Sequence, residues 1–212
     1  MRGKVAAAAA VLLALALAPA PAEAQESPDD GQVLLFGFKV SVGGRYDNVR
    51  MCVASPAGAK GGLALDVSFF AEIGIKQDVS VIVNVPLFRP IMFAAAFRML
   101  QFEPDVTLAF RHDMGEKVDL IVGPTIGFIF HYGPDYTSER SGPGRTPSFF
   151  AMGPRIGAYL GFDFKRRDSK FNFQLGIQPY ASPLFTAGDS QPSQGVILGG
   201  TLDGLFRFDA GM

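Results

Sequence analysis

The sequence has no tryptophan, only one cysteine and only two histidines among its 212 residues. Because Cys52 is the single cysteine, no intrachain disulfide can stabilise the fold. The 19 Lys and Arg and the 20 Asp and Glu give a formal net charge of −1, so there is no basic excess for binding nucleic acid. No zinc spacing, phosphate-binding loop or nucleophile elbow is present, and the sequence therefore predicts no metal and no cofactor.

Long apolar runs are also lacking, except at the N-terminus. Residues 1–24 combine a basic start, a short apolar stretch and an A-x-A pattern that ends at Ala24, which is typical of a cleaved bacterial signal peptide. The apolar stretch is shorter than the roughly 20 residues of a membrane-spanning helix. We therefore expect an exported protein in which residues 25–32 form a short periplasmic segment and one domain follows over 33–208.

Alternation at period two dominates the rest of the chain. In residues 33–46, VLLFGFKVSVGGRY, the side chains of Phe36 and Phe38 lie on one face and Lys39 lies on the other. Such alternation predicts a β-strand with two unlike faces. It recurs in eight segments, at 33–46, 63–75, 79–87, 99–111, 118–130, 150–164, 171–180 and 196–208. The sequence therefore predicts an all-β fold whose strands are long enough to cross a bilayer.

The connections between these segments alternate in length. Short charged turns occupy 76–78, 112–117 and 165–170, and longer links occupy 47–62, 88–98, 131–149 and 181–195. Short turns at one end and long loops at the other are typical of up-and-down barrels that span an outer membrane. The link FRPIMFAAAFR (88–98) is too apolar for an ordinary loop, and the sequence leaves its structure open.

Five prolines lie within the predicted strands, at Pro86, Pro104, Pro124, Pro154 and Pro179. Each proline removes one ladder hydrogen bond from a fold that has no free edge. We therefore expect local bulges at these positions.

The alternation is compatible with two orientations of the faces. In a soluble, lipocalin-like barrel the apolar faces point inward around an apolar ligand, whereas in a membrane barrel they point at lipid. Glycines such as Gly37 and Gly123 recur on the polar face, and they favour the membrane orientation because they make room for long charged side chains inside a narrow barrel. The near balance of charge on that face agrees, since buried charges must be paired.

The polar faces together predict one candidate site, a network of charged side chains in the lumen. Its predicted members are Lys39, Arg45, Asp66, Glu72, Glu103, Asp105, Arg111, Asp119, Arg155, Asp163, Asp203 and Arg207. We interpret the network as ion pairs that stabilise the barrel and block flow through it. A narrow, low-conductance ion path is the alternative, because rings of charge can select ions.

The whole mature chain resembles the OmpA/OmpX-like class of small eight-stranded outer-membrane β-barrels of Gram-negative bacteria. The resemblance rests on the signal peptide, the strand count, the loop alternation and the charged lumen, with Phe208 near the C-terminus in place of the terminal aromatic residue of such families. It implies an antiparallel up-and-down transmembrane barrel with periplasmic termini and extracellular long loops. It also implies a monomer whose partners are outer-membrane lipid, lipopolysaccharide and the barrel-assembly machinery.

The predicted function is that of a non-enzymatic outer-membrane protein with a structural role or a surface role of its long loops. The porin-like channel and the soluble barrel stay open as alternatives. Some small barrels modify lipid A with a His, a Ser and an acidic residue near the outer rim. Here His131 begins a long link that also contains Ser138 and Glu139. We nevertheless interpret His112 and His131 as solvated rim residues and assign no catalytic residue.

Overall fold

The computed structural model describes residues 34–48, 60–88, 100–134, 147–164, 171–187 and 193–209. The predicted signal peptide, the segment 25–32 and nearly all of the link 88–98 lie outside these ranges. The described chain forms β1 (Leu34–Asp47), β2 (Gly62–Lys76), β3 (Val79–Pro86), β4 (Leu100–Phe102), β5 (Asp105–Asp113), β6 (Val118–Pro134), β7 (Ser148–Phe164), β8 (Phe171–Ala187) and β9 (Gln194–Asp209). Over these ranges, no helix has the length and apolar character needed to cross a membrane.

The strands form a closed antiparallel ring. The pairing order is β6-β5-β3-β2-β1-β9-β8-β7, and a further pairing of β6 with β7 closes the ring. The short strand β4 also pairs with β6, in the same register as β5, since Phe102 faces Phe130 and Asp105 faces Gly127. The predicted strand 99–111 is therefore interrupted after Phe102 but occupies one place, and the nine strands make a ring of eight.

The two short turns that the structure describes and the two described ends of the chain in the ring lie on the same side. Leu34 pairs with Ile73, so β1 begins beside the two-residue turn that joins β2 to β3. Leu35 pairs with Asp209, so β9 ends at the same place. The turn 114–117 between β5 and β6 lies at this end too. We call this side the short-turn end and the opposite side the long-link end.

Three strands are longer than the sequence pattern indicates. β6 continues to Pro134, β7 begins at Ser148 and β8 continues to Ala187, so the predicted links 131–149 and 181–195 are too long. The reason is that the contrast between the two faces weakens in these segments, where apolar residues such as Phe149 and Leu184 lie inward and Pro183 lies outward.

Prolines break the ladder of hydrogen bonds without shifting the register. The β7–β8 ladder is interrupted where Pro154 lies opposite Pro183, because neither residue has an amide N–H. Ser182 compensates in part, since its Oγ donates to the Pro154 carbonyl oxygen over 2.6 Å. Among the described pairings the register shifts between Gly74 and Lys76 instead, so the expectation of bulges at the prolines is wrong.

Side chains alternate between the interior of the ring and its outer surface. On β1, Lys39 and Arg45 are 5% and 7% exposed, whereas Phe38 and Val42 are 46% and 45% exposed. The polar faces therefore point inward and the apolar faces outward, in agreement with the orientation inferred from glycine and charge. A soluble barrel around an apolar interior needs the opposite orientation, and the burial pattern contradicts that alternative.

Candidate functional site

All twelve residues of the predicted charge network lie on the inner face of the ring. Eleven of them are buried, and the side chain of Arg111, near the short-turn end, is 24% exposed. The interior also contains two residues that the prediction left out, Asp47 and His131. The network forms three groups that follow one another from the short-turn end to the long-link end. Each group is organised around one carboxylate.

The group at the short-turn end is organised around Glu72. Its carboxylate accepts hydrogen bonds from Arg111 Nη2 and Arg207 Nη1, each over 3.0 Å, and from Ser80 Oγ over 2.7 Å. Asp163 forms ion pairs with both arginines. Because each carboxylate contacts both guanidinium groups, four strands are joined across the interior. We call this group the Glu72 cluster: Glu72, Ser80, Arg111, Asp119, Asp163 and Arg207.

The middle group is organised around Asp105, at the start of β5. Asn84 Nδ2 donates to Oδ1 over 2.7 Å, and Arg155 Nη1 donates to Oδ2 over 3.2 Å. Lys39 Nζ lies 3.6 Å from the same Oδ2 and 4.0 Å from Asp203 Oδ2. Two cations thus share one carboxylate, and Lys39 extends the contact to β9.

The third group lies toward the long-link end and is organised around Glu103, in the break between β4 and β5. Its Oε1 accepts from Arg45 Nη1 over 2.9 Å and lies 2.7 Å from His131 Nε2. Arg45 Nε lies 3.4 Å from Asp47 Oδ2. The interpretation of His131 as a solvated rim residue is wrong, because its side chain is fully buried, whereas His112 is exposed. Extending the period-two pattern past Ile129 identifies His131 as inward-facing.

Aromatic rings, more than charged groups, occupy the space above several interior glycines. A Cβ added at Gly161 would lie 2.7 Å from atoms of the Tyr159 ring, and one at Gly199 would lie 2.5 Å from Cζ of Tyr180. Phe70 lies in the same way over Gly37. The sequence pattern predicts that these glycines make room for charged side chains, whereas in the structure aromatic side chains use much of that room.

Two clusters of apolar side chains lie next to the charged groups of the interior. One apolar cluster lies next to the Glu72 cluster and comprises Phe70, Ile82, Ala109, Ile121, Tyr159 and Leu205. We call it the Tyr159 layer. The other lies beside the third group at the long-link end, since Ala151 pairs with His131 and Ile197 pairs with Asp47. It comprises Ile129, Phe149, Ala151, Tyr180, Leu184 and Ile197. We call it the Tyr180 layer.

A small cavity lies beside the middle group. Its volume is about 20 Å³, which is room for about one water molecule, and its lining includes Lys39, Asp66, Gln178 and Thr201. The buried Gln178 Nε2 and Thr201 Oγ1 have no hydrogen-bond partner among the described residues. Nor do those residues bring three or more His, Cys, Asp or Glu together in a group that could hold a metal ion. The cavity is far smaller than the sites that bind organic ligands.

Comparison with known proteins finds a likeness among solved structures. No family model matches the chain, and no curated protein matches it. Among solved structures, the chain is similar to Neisserial surface protein A (NspA), with a TM-score of 0.46 and 9% sequence identity over 82% of this chain and 96% of that chain. No family is therefore assigned to the chain.

Proposed function

We propose that this protein is a non-enzymatic β-barrel of the bacterial outer membrane whose apolar wall lies in lipid. The observation that carries the proposal is the orientation of the two faces. Twenty-seven large apolar or aromatic side chains are exposed among the described residues, whereas eleven of the twelve charged side chains of the predicted network are buried inside the ring. A water-soluble monomer rarely exposes so much contiguous apolar surface, but a hydrocarbon solvent favours it.

The outward-facing side chains are sorted along the strands in a way that supports this proposal. Aliphatic residues such as Ile126 and Ile156, which pair at the centres of β6 and β7, are 64% and 60% exposed. Phenylalanines gather at the short-turn end, where the rings of Phe173 and Phe206 are 5.2 Å apart. Tyr132 lies outward at the long-link end. An aliphatic band between aromatic ends is the pattern of outer-membrane barrels.

The hydrogen bonding of the backbone also supports a lipid environment for the wall. A closed ring pairs each strand on both sides, so it leaves no continuous row of unsatisfied N–H and C=O groups. Where prolines remove donors, as at Pro154 and Pro183, the inward-facing hydroxyl of Ser182 supplies one of the missing bonds. The wall can therefore lie in hydrocarbon at little cost in unpaired polar groups.

The interior supports a structural role. Ion pairs join the charged side chains of the three groups, and the cavity beside the middle group has room for about one water molecule. We infer that the interior stabilises the wall and blocks the passage of solutes. In this proposal the termini are periplasmic, the long links are extracellular and available for surface contacts, and lipid, lipopolysaccharide and the assembly machinery are the partners of a monomer.

Envelope fractionation tests the location. We expect the mature chain, beginning at Gln25, in the outer-membrane fraction, with faster gel migration before heating than after heating, as compact detergent-resistant barrels show. Recovery of the folded protein in the soluble fraction without detergent would contradict the proposal.

Tryptophan fluorescence tests the orientation of the faces, because the chain has no tryptophan of its own. Phe69 and Phe70 are consecutive residues that are 36% and 0% exposed. In vesicles of brominated lipid we expect strong quenching for Phe69→Trp and weak quenching for Phe70→Trp, since bromine quenches on contact. Equal or reversed quenching would show that the outer wall does not face lipid.

A further inference from the structure

We propose that the interior is a latent path for monovalent cations and that the side chains of Tyr159 and Tyr180 keep it closed. The inference rests on the proposed membrane location and adds two points to it. It names the residues that close the interior, and it states which ions would pass if they were removed.

The charge along the interior favours cations. The inner face carries eight buried carboxylates: Asp47, Asp66, Glu72, Glu103, Asp105, Asp119, Asp163 and Asp203. Five cationic side chains face them: Lys39, Arg45, Arg111, Arg155 and Arg207. The excess lies in the groups at the two ends, where carboxylates outnumber cationic side chains by one each, whereas Lys39 and Arg155 balance Asp105 and Asp203 in the middle group. Asp66, beside the small cavity, adds one further negative charge there. A path past these groups would attract cations and repel anions.

Apolar and aromatic side chains interrupt this route. In the Tyr159 layer, Tyr159 lies with Phe70 and Ile121, two residues along the chain from Glu72 and Asp119 of the Glu72 cluster. An ion that leaves those carboxylates would lose its water and meet no charged partner among these side chains. Taking a charge into such surroundings is costly, so the Tyr159 layer is a barrier to ions. Tyr180 lines the small cavity together with Asp105 and Glu103, and its ring occupies space between the middle group and the third group.

Each tyrosine is held across its layer by specific contacts. Gln174 Nε2 donates to the Tyr159 hydroxyl over 2.8 Å. The guanidinium carbon of Arg155 lies 4.0 Å from the centre of the Tyr180 ring, a cation–π contact, while Arg155 also bonds Asp105. Both rings are therefore fixed in place by polar groups and do not merely fill space.

The glycines beneath the two rings are as important for the position of the rings as these contacts are. At Gly161 the three atoms nearest to an added Cβ all belong to the Tyr159 side chain, at 2.7 to 2.9 Å. At Gly199 the three nearest atoms all belong to Tyr180, at 2.5 to 2.8 Å. An alanine at either position would therefore displace the ring before it disturbed the backbone. This gives a way to open the path without removing the ring itself.

The test is conductance in planar bilayers, with variants of the full mature chain whose folding is verified by heat-modifiable migration. We expect the wild type to stay closed. The double variant Tyr159→Ala/Tyr180→Ala should raise the conductance by about tenfold or more, with a reversal potential in a KCl gradient on the cation side. The matched control is Tyr46→Ala/Tyr132→Ala, which removes two outward-facing tyrosines that are each 42% exposed and should leave the protein closed.

A second pair of variants keeps the proposal testable if loss of both rings prevents folding. Gly161→Ala/Gly199→Ala should also open the path, whereas Tyr159→Phe/Tyr180→Phe should not. This inference would be overturned if the folded Tyr159→Ala/Tyr180→Ala and Gly161→Ala/Gly199→Ala variants conduct no better than the wild type, or if they prefer anions. Either result would leave the membrane location intact. Failure of the wild type to insert into lipid vesicles would overturn the membrane location and this inference with it.

Discussion

Arg207 Nη1 donates to Glu72 Oε2 over 3.0 Å, although β1 lies between the two strands that carry these residues. The other oxygen of Glu72 accepts from Arg111 on β5, again across an intervening strand. The ladder hydrogen bonds join only adjacent strands, whereas this one carboxylate joins β2 to two strands beyond its neighbours. We therefore infer that Glu72 stabilises the short-turn end by joining strands that are not adjacent.

The first prediction concerns this carboxylate. Glu72→Gln removes the charge that two buried or partly buried guanidinium groups share, and we expect it to lower the free energy of unfolding by about 3–5 kcal/mol. Urea titration in lipid vesicles, followed by the folded band on unheated gels, measures the loss.

Ser80→Ala is the matched control because Ser80 donates to the same Glu72 carboxylate without carrying a charge. It should cost only about 0.5–1.5 kcal/mol, the usual worth of a hydrogen bond. A Glu72→Gln variant that loses less stability than Ser80→Ala would show that the Glu72 cluster does not stabilise the fold as argued.

The second prediction concerns the centre of the outer wall. Ile126 is 64% exposed and lies at the middle of β6, so in the proposed membrane location it faces the centre of the bilayer. Ile126→Lys should lower the free energy of unfolding in lipid vesicles by about 2–4 kcal/mol, because a lipid-facing ammonium group is costly at that depth. The same urea titration measures it.

Met114→Lys serves as the control, since Met114 is 59% exposed but lies in the turn between β5 and β6. There the new charge meets water, and the change should stay within about 0.5 kcal/mol. Equal effects of the two substitutions would mean that Ile126 is surrounded by water.

The sequence pattern was sufficient for the parts of the fold that depend on alternation. Phe38 and Lys39 are adjacent and differ in hydrophobicity, so their opposite faces, the strand and the inward position of the charge can all be predicted. The ring of eight also follows from the number of such segments. These features are local along the chain, and each is repeated often enough to identify.

Other features depend on contacts between strands and could not be predicted in this way. Tyr159 lies over Gly176 of the next strand, and only the register of β7 with β8 brings them together. Asp47 and His131 lie at strand ends, where the surrounding pattern weakens, although both continue the inward period. The break after Phe102 arises because Pro104 cannot donate to a neighbouring strand.

The third prediction concerns the paired prolines. Ser182 Oγ donates to the carbonyl oxygen of Pro154, which faces Pro183 and therefore has no amide donor opposite it. Ser182→Ala leaves this buried oxygen without its donor and should cost about 1–3 kcal/mol in the free energy of unfolding. The measurement is again urea titration in lipid vesicles.

A double-mutant cycle separates this bond from other effects of Ser182. Pro183→Val supplies an amide N–H opposite the Pro154 carbonyl, so in that background Ser182→Ala should cost measurably less. If the cost of Ser182→Ala is the same in both backgrounds, the hydroxyl does not act by satisfying that carbonyl.

The last prediction separates the proposed structural role of His131 from a catalytic one. His131 is fully buried, and its Nε2 lies 2.7 Å from Glu103 Oε1, so it can neither meet an acyl chain at the outer wall nor exchange readily with water. We expect His131→Ala to lower the free energy of unfolding by about 1.5–3 kcal/mol, as for a hydrogen bond to a charged group. His112→Ala, which changes the exposed histidine, should stay within about 0.5 kcal/mol.

Lipid A from cells that produce the wild type, His131→Ala and His112→Ala proteins should have the same acylation pattern by mass spectrometry, because a residue that only stabilises the wall changes no product. A change in acylation that depends on the wild-type protein and disappears in His131→Ala, while folded protein is still present, would assign this histidine to catalysis. It would then follow that the contact between β4 and β6 opens in the membrane, since only such an opening would bring the imidazole to a lipid substrate.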